Sequence, residues 1–298
     1  RSEPFLMPDT LILSGKVAAE AVYSDLSTRV ECLIQKGVKP GLAAILVGDD
    51  PASHVYVRSK TNRFRSMGLH SDTITFHEDV SEDELLLTID SLNHDKSFHG
   101  ILVQFPLPEQ INSQNIIRSI LPEKDVDGFH PENVGLLTMG SPRFIPCTPK
   151  GIIRLLSQYE IELSGKHVVV IGRSNIVGRP VSILTSLKSA GANATSTICH
   201  SGTINIDDHT RCADVVITAM GSPNYLKGDM LKNGAVVIDV GINRVETGND
   251  KGYKLIGDVQ WDSIQDIASA ATPVPGGVGP MTIAMLVENT VEAAESTV

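Results

Sequence analysis

The stretch that decides the fold is Val168-Val169-Val170-Ile171, running into Gly172-Arg173-Ser174-Asn175-Ile176-Val177-Gly178-Arg179-Pro180. Four β-branched residues ending on glycine predict a buried parallel strand that turns sharply into a helix. Such a corner offers free N–H groups and a positive dipole end to a pyrophosphate. The spacing departs from G-x-G-x-x-G: Ser174 stands where the second glycine belongs, and the last glycine falls one place late. Taken alone, the loop reads equally well as a plain strand–turn–helix corner. The next predicted strand, 194–199, ends Cys199-His200-Ser201, without the carboxylate that usually takes a ribose 2′-hydroxyl. Arg173 by its charge and Ser201 by its hydroxyl suit a 2′-phosphate instead, which points to NADP. Ser201-Gly202 is also an ordinary turn pair.

Outward from this corner, strands at 215–218 and 236–240 complete a nucleotide-binding βαβ series. Upstream, Leu42–Val47 and Ile101–Phe105 are further apolar strand runs. Helices start at Asp50-Pro51 and at the capping box Ser81-Glu82-Asp83-Glu84. That half has no glycine-rich phosphate loop. The reading is an α/β chain of two domains, which 298 residues suit.

Composition narrows the function. Hydrophobic residues are 41% and charged residues 20%, an ordinary globular balance. Aromatic content of 4% and a net charge of −10 argue against a nucleic-acid partner. No apolar run is long enough for a membrane helix. Cys32, Cys147, Cys199 and Cys212 form no C-x-x-C pair, and no H-E-x-x-H is present, so neither a metal nor a disulfide framework is expected. The cysteines read as free thiols in a reducing compartment. The chain opens Arg1-Ser2-Glu3-Pro4, so a trimmed leader would leave no trace. A cytoplasmic location is expected, with a mitochondrial one left open.

Tyr56 and Lys60 lie four apart on the helix that begins at Asp50, and so share a face. Lys60 on its own fits a solvated basic face with Arg58, Arg63 and Arg65. Gln104 ends the 101–105 strand, on the side where parallel sheets place ligands. Asp125-Val126-Asp127-Gly128 reads as a turn; as a calcium loop it lacks further ligands. Pro273-Val274-Pro275-Gly276-Gly277-Val278-Gly279-Pro280 is stiff and poor in side chains, which allows a ligand close to backbone.

These segments together resemble the bifunctional methylenetetrahydrofolate dehydrogenase/methenyltetrahydrofolate cyclohydrolase family. The resemblance rests on Ser53–Lys60, Gly100–Pro108, Lys124–Phe129, Pro146–Pro149, the 172–180 loop, Cys199–Ser201, Asp239–Asn243 and the proline–glycine loop, in family order along nearly the whole chain. It implies oxidation of 5,10-methylenetetrahydrofolate with NADP, then hydrolysis of the methenyl product to 10-formyltetrahydrofolate in the same site. It implies a substrate and catalytic domain over 1–147, joined by a C-terminal helix at 280–298. A Rossmann-type NADP domain would cover 148–279, with a cleft between the two, and the enzyme would be a homodimer. Lys60 becomes the catalytic lysine, with Tyr56 and Gln104 as partners. Asp127 becomes the anchor of the pterin ring, while Val103, Pro275, Gly276, Gly277 and Val278 border the substrate. Gly172, Arg173, Ser174, Ser201 and Ile242 would hold the cofactor. The segment Lys188–Asn193 is longer than the family pattern leads one to expect. A dehydrogenase of a small hydroxy or amino acid, or an NADP-sensing protein without turnover, would leave Tyr56, Lys60, Gln104 and Asp127 unexplained as a set.

Overall fold

The computed structural model describes residues 9–248 and 252–298; the opening Arg1-Ser2-Glu3-Pro4 lies outside them. The chain runs β1 (Leu11–Ile12), α1 (Gly15–Gln35), β2 (Gly41–Val47), α2 (Pro51–Ser66), β3 (His70–Phe76), α3 (Glu82–His94), β4 (Gly100–Val103), α4 (Ser113–Ser119) and α5 (Pro131–Thr138). It continues with α6 (Cys147–Gln158), β5 (His167–Ile171), α7 (Gly178–Ser186), β6 (Thr195–Cys199), α8 (Ile206–Thr210), β7 (Val215–Thr218) and β8 (Val236–Asp239). Last come β9 (Asn243–Glu246), β10 (Tyr253–Ile256), α9 (Trp261–Ile264), β11 (Ala270–Ala271) and α10 (Val278–Glu295).

By contact the chain divides into two compact units. The first comprises Glu20–Cys147 with Ile283–Val298; the second comprises the described residues through Ala19 with Thr148–Thr282. The residues through Ala19 thus group with the second unit rather than with the rest of 1–147. The cause is β1, whose Leu11 and Ile12 pair in parallel with Ala270 and Ala271 of β11. The last helix begins at Val278, two residues ahead of the 280–298 helix that the resemblance implies, so Pro280 sits in its first turn, where its missing N–H costs nothing.

The first unit holds a parallel sheet in the order β3-β2-β4. All seven residues of central β2 are buried, as expected of a strand covered on both faces. Ile45, Val47, Leu85, Ile89, Ile101 and Ile116 form its core. Asp50 caps α2, its carboxylate accepting from the Ser53 N–H at 2.8 Å, and Ser81 caps α3 through the Glu84 N–H at 3.2 Å. Both caps were legible in the sequence.

The second unit holds a six-stranded sheet in the order β1-β11-β8-β7-β5-β6, parallel throughout. β5 has β6 on one side and β7 on the other, so chain order reverses beside it. The C-terminal end of such a strand is the expected ligand crevice. The 188–193 segment folds into a turn closed by Asn193 N–H to Leu187 O and Ala194 N–H to Thr185 O, both 2.9 Å. No helix among the described residues is long and apolar enough to cross a membrane.

Candidate active site and cofactor pocket

In the first unit two of the three expected catalytic groups, Lys60 and Gln104, meet where α2 passes the C-terminal end of β4. The α2 helix follows β2 and presents Tyr56 and Lys60 one turn apart. Gln104 follows β4 directly. The Lys60 ammonium donates to Gln104 Oε1 at 3.1 Å. The Gln104 amide in turn donates to Phe105 O at 2.8 Å, which fixes its orientation with the oxygen toward the lysine. Burial, with the Asp50 charge behind it, pushes the Tyr56 phenol above its ordinary value. Asp127 sits deep in the same region. Desolvation pushes its carboxyl upward, while the Lys60 charge and the Cys147 thiol, 3.8 Å from Oδ1, pull it back. Val103 is 3% exposed and packs in the core, so a ligand there would meet its backbone alone.

The turn bearing Asp127 is held from inside. Asp125, 2% exposed, accepts from the N–H groups of Phe129 at 3.2 Å and His130 at 2.8 Å, and from Asn133 Nδ2 at 2.8 Å. Burial raises its pKa to about 7 in spite of these donors. From α10, the buried Asn289 amide donates to Val126 O at 2.7 Å and Ile145 O at 3.0 Å.

Pro275, Gly276, Gly277 and Val278 belong to the second unit. Gly276 O accepts from the Gly15 N–H at 2.9 Å, and Val278 is buried at 4%.

Three of the five residues expected at the cofactor line a cavity of about 730 Å³ at the ends of β5, β6 and β7. Gly172, Arg173 and Ser201 line it, as read from the sequence. Gly172 has φ +131°, and a Cβ there would collide with Ala219 O, so only glycine fits this turn. Among the described residues, Arg173 meets no carboxylate; its one contact is His200 Nε2 at 3.4 Å. A guanidinium without an ion pair beside a cavity of this size fits a 2′-phosphorylated dinucleotide.

Ser174 and Ile242 do not line the cavity. Ser174 instead accepts from the N–H groups of Val177 at 3.2 Å and Gly178 at 3.3 Å, and so occupies the turn into α7. Ile242 is 44% exposed. The sequence reading missed His200, Thr203, Asn205 and Tyr225, all of which line the cavity. His200 was visible in the 199–201 motif; the other three carry no local signal.

Together the parts define a class: a two-unit dehydrogenase with a dinucleotide pocket in one α/β unit and a lysine–glutamine–aspartate site in the other. The chain belongs to the tetrahydrofolate dehydrogenase/cyclohydrolase family, matching its catalytic domain over residues 13–127 and its NAD(P)-binding domain over 146–298. It is 53% identical to bifunctional protein FolD 2 of Geobacter sulfurreducens over 95% of this chain and 96% of that relative. It is 52% identical to bifunctional protein FolD of Bacillus subtilis over 96% and 98%. The solved FolD dehydrogenase/cyclohydrolase of Campylobacter jejuni superposes with a TM-score of 0.91 at 47% identity, covering 97% of this chain and all of that one. The Trypanosoma brucei dehydrogenase-cyclohydrolase, solved with NADP and an inhibitor, gives 0.92 at 36% identity over 98% and 99%. The chain is accordingly a bifunctional, NADP-dependent enzyme of folate one-carbon metabolism.

Proposed function

We propose that the group of Lys60, Gln104 and Asp127 carries both reactions: oxidation of 5,10-methylenetetrahydrofolate to the methenyl form with NADP, and hydrolysis of that form to 10-formyltetrahydrofolate. The observation that supports it best is the 3.1 Å bond between the Lys60 ammonium and Gln104 Oε1. NADP, when bound, supplies the hydride acceptor. Gly172, Arg173, Ser174, Ser201 and Ile242 are the residues assigned to hold it, Arg173 and Ser201 at the 2′-phosphate. Asp127 accepts from adjacent N–H donors on the pterin edge. Tyr56 is the partner of Lys60 on the same face of α2, and Val103, Pro275, Gly276, Gly277 and Val278 border the substrate.

Oxidation needs alignment and exclusion of water, but no protein base. Hydrolysis needs a group that takes a proton from water and gives one to the departing ring nitrogen. The Lys60 amine is the group placed to do this. Gln104 orients that amine through a neutral oxygen; a carboxylate there would hold the proton in place.

The enzyme acts as a homodimer in the cytoplasm, on a path that supplies formyl groups for purine biosynthesis. The test is one preparation assayed two ways: NADP reduction with 5,10-methylenetetrahydrofolate, and decay of 5,10-methenyltetrahydrofolate without cofactor. Turnover in only one assay breaks the shared-site reading. Sedimentation equilibrium at twice the mass of one chain supports the dimer, and a single-chain mass overturns it.

A further inference from the structure

The second unit contains two buried carboxylates with no role so far, Asp239 and Asp258, 4% and 0% exposed. No cation pairs with either among the described residues; N–H and O–H donors offset their burial. Asp258 Oδ2 accepts from the N–H groups of Met220 at 2.9 Å and Gly221 at 3.1 Å. Its Oδ1 accepts from the Ser222 N–H at 2.8 Å and Asn243 Nδ2 at 2.9 Å. Asp239 Oδ1 accepts from Thr218 Oγ1 at 3.1 Å, the Gly241 N–H at 2.9 Å and the N–H of Asp258 itself at 3.0 Å. Its Oδ2 accepts from the Val259 N–H at 3.0 Å.

Three successive backbone N–H groups converging on one anion form a nest, the arrangement that elsewhere holds phosphates. Here the occupant is the protein's own carboxylate. Neighbouring glycines record how tightly it is held: a Cβ on Gly241 would strike Asp258 Oδ1, and one on Gly257 would strike Asp239 Oδ2.

What the nest fixes bears on the cofactor. The loop it grips begins at Ala219 and Met220, both of which line the 730 Å³ cavity. Ala219 O is also the atom that forbids a side chain at Gly172. The backbone of Asp258 accepts from the Leu226 N–H at 3.0 Å and so places Tyr225, a third lining residue. Asn243 ties the same carboxylate to the residue beside Ile242. Asp258 thus fixes two stretches that line the cavity, 219–220 through its side chain and Tyr225 through its backbone, without lining the cavity itself.

We infer that Asp258 is a positioning residue for NADP, acting through the nest at 220–222 and through Asn243. The inference rests on reading the cavity as the NADP site. It predicts a divided phenotype, since cyclohydrolase activity requires no dinucleotide. In Asp258→Asn, an amide N–H faces donors where an acceptor stood. NADP KM is expected to rise about tenfold or more, the scale of one lost charge-assisted hydrogen bond. The kcat at saturating NADP stays largely intact, and cyclohydrolase activity without cofactor changes by less than about twofold.

Asn243→Ala removes one donor arm and leaves three backbone N–H groups on the carboxylate. It is expected to raise NADP KM in the same direction by a smaller factor. The decisive measurements are NADP KM and the calorimetric Kd for NADP, taken beside both activities. A folded Asp258→Asn with wild-type NADP affinity overturns the inference. Where Asp258→Asn fails to fold, Asn243→Ala decides: raised NADP KM supports the role, and unchanged KM removes it. Failure of the cavity reading shows separately, as wild-type NADP affinity in Arg173→Ala.

Discussion

In the first unit the groups proposed for catalysis are long side chains, and Lys60 meets Gln104. In the second, part of the pocket lining sits on loops fixed from behind: Gly172 against Ala219, and the loop gripped by Asp258. Both occupy the C-terminal ends of a central parallel strand and its neighbour, β2 with β4 and β5 with β7. The difference teaches where each function is vulnerable. A site made of side-chain atoms fails when one atom is removed, with the fold intact. A pocket lined by loops also fails when whatever fixes those loops is removed, often at a distance.

The sharpest way to break this contrast is Lys60→Met. Methionine keeps the length and packing of the stem and deletes the amine. Cyclohydrolase activity is expected to fall about 100-fold or more, the usual scale for a general base, while NADP reduction persists in part. Full cyclohydrolase activity would return Lys60 to the basic surface of α2.

Next in size is Arg173→Ala, a side-chain contribution within the pocket of the second unit. Loss of a charge-assisted phosphate contact costs roughly 1.5–3 kcal/mol, so NADP affinity is expected to drop more than tenfold. The Michaelis constant for NAD should stay nearly constant. Equal use of NAD and NADP by the wild type would sink this assignment.

Asp127→Ala is expected to weaken folate binding in both reactions, by about tenfold, mostly through KM. A loss confined to one activity would make Asp127 a participant in chemistry rather than an anchor.

The smallest expected effect is on stability. Burial raises the pKa of Asp125 to about 7 and that of Asp239 to about 6. Folding therefore strengthens proton binding at both. Their stabilising contribution is complete below the unfolded carboxylate value and is lost as pH rises through about 6 and 7. Denaturant melts from about pH 5 to 8 should show that loss, and Asp125→Asn should flatten its upper part. A wild-type slope of opposite sign, unchanged in Asp125→Asn, would contradict it.

Much of this was open to sequence reasoning where one local pattern carried the information. The apolar strand into Gly172, the caps at Asp50 and Ser81, and the α2 spacing of Tyr56 and Lys60 are of that kind. The strand β3 was not, because His70–Phe76 reads HSDTITF, a polar edge strand without an apolar run. β1 and β11 are two residues each and exist only through pairing across the whole chain. At the cofactor pocket, Tyr225 lines the cavity because Asp258 holds its neighbour, a contact 32 residues distant in sequence that no spacing announces. Ser174, expected at the cofactor, spends its hydroxyl on the first turn of α7. The glycines at 241 and 257 were the visible trace of the buried aspartates, legible only once the carboxylates behind them were seen.

The amide of Asn289 binds Val126 O and Ile145 O from a helix at the far end of the chain. A ribosome that has translated every residue assigned to either ligand has still not made the clasp behind Asp127. The turn that bears Asp127 therefore gains this support only after the C-terminal helix has left the exit tunnel. A message broken shortly before codon 289 would yield a chain with all of its assigned chemistry encoded and the proposed pterin anchor unsupported.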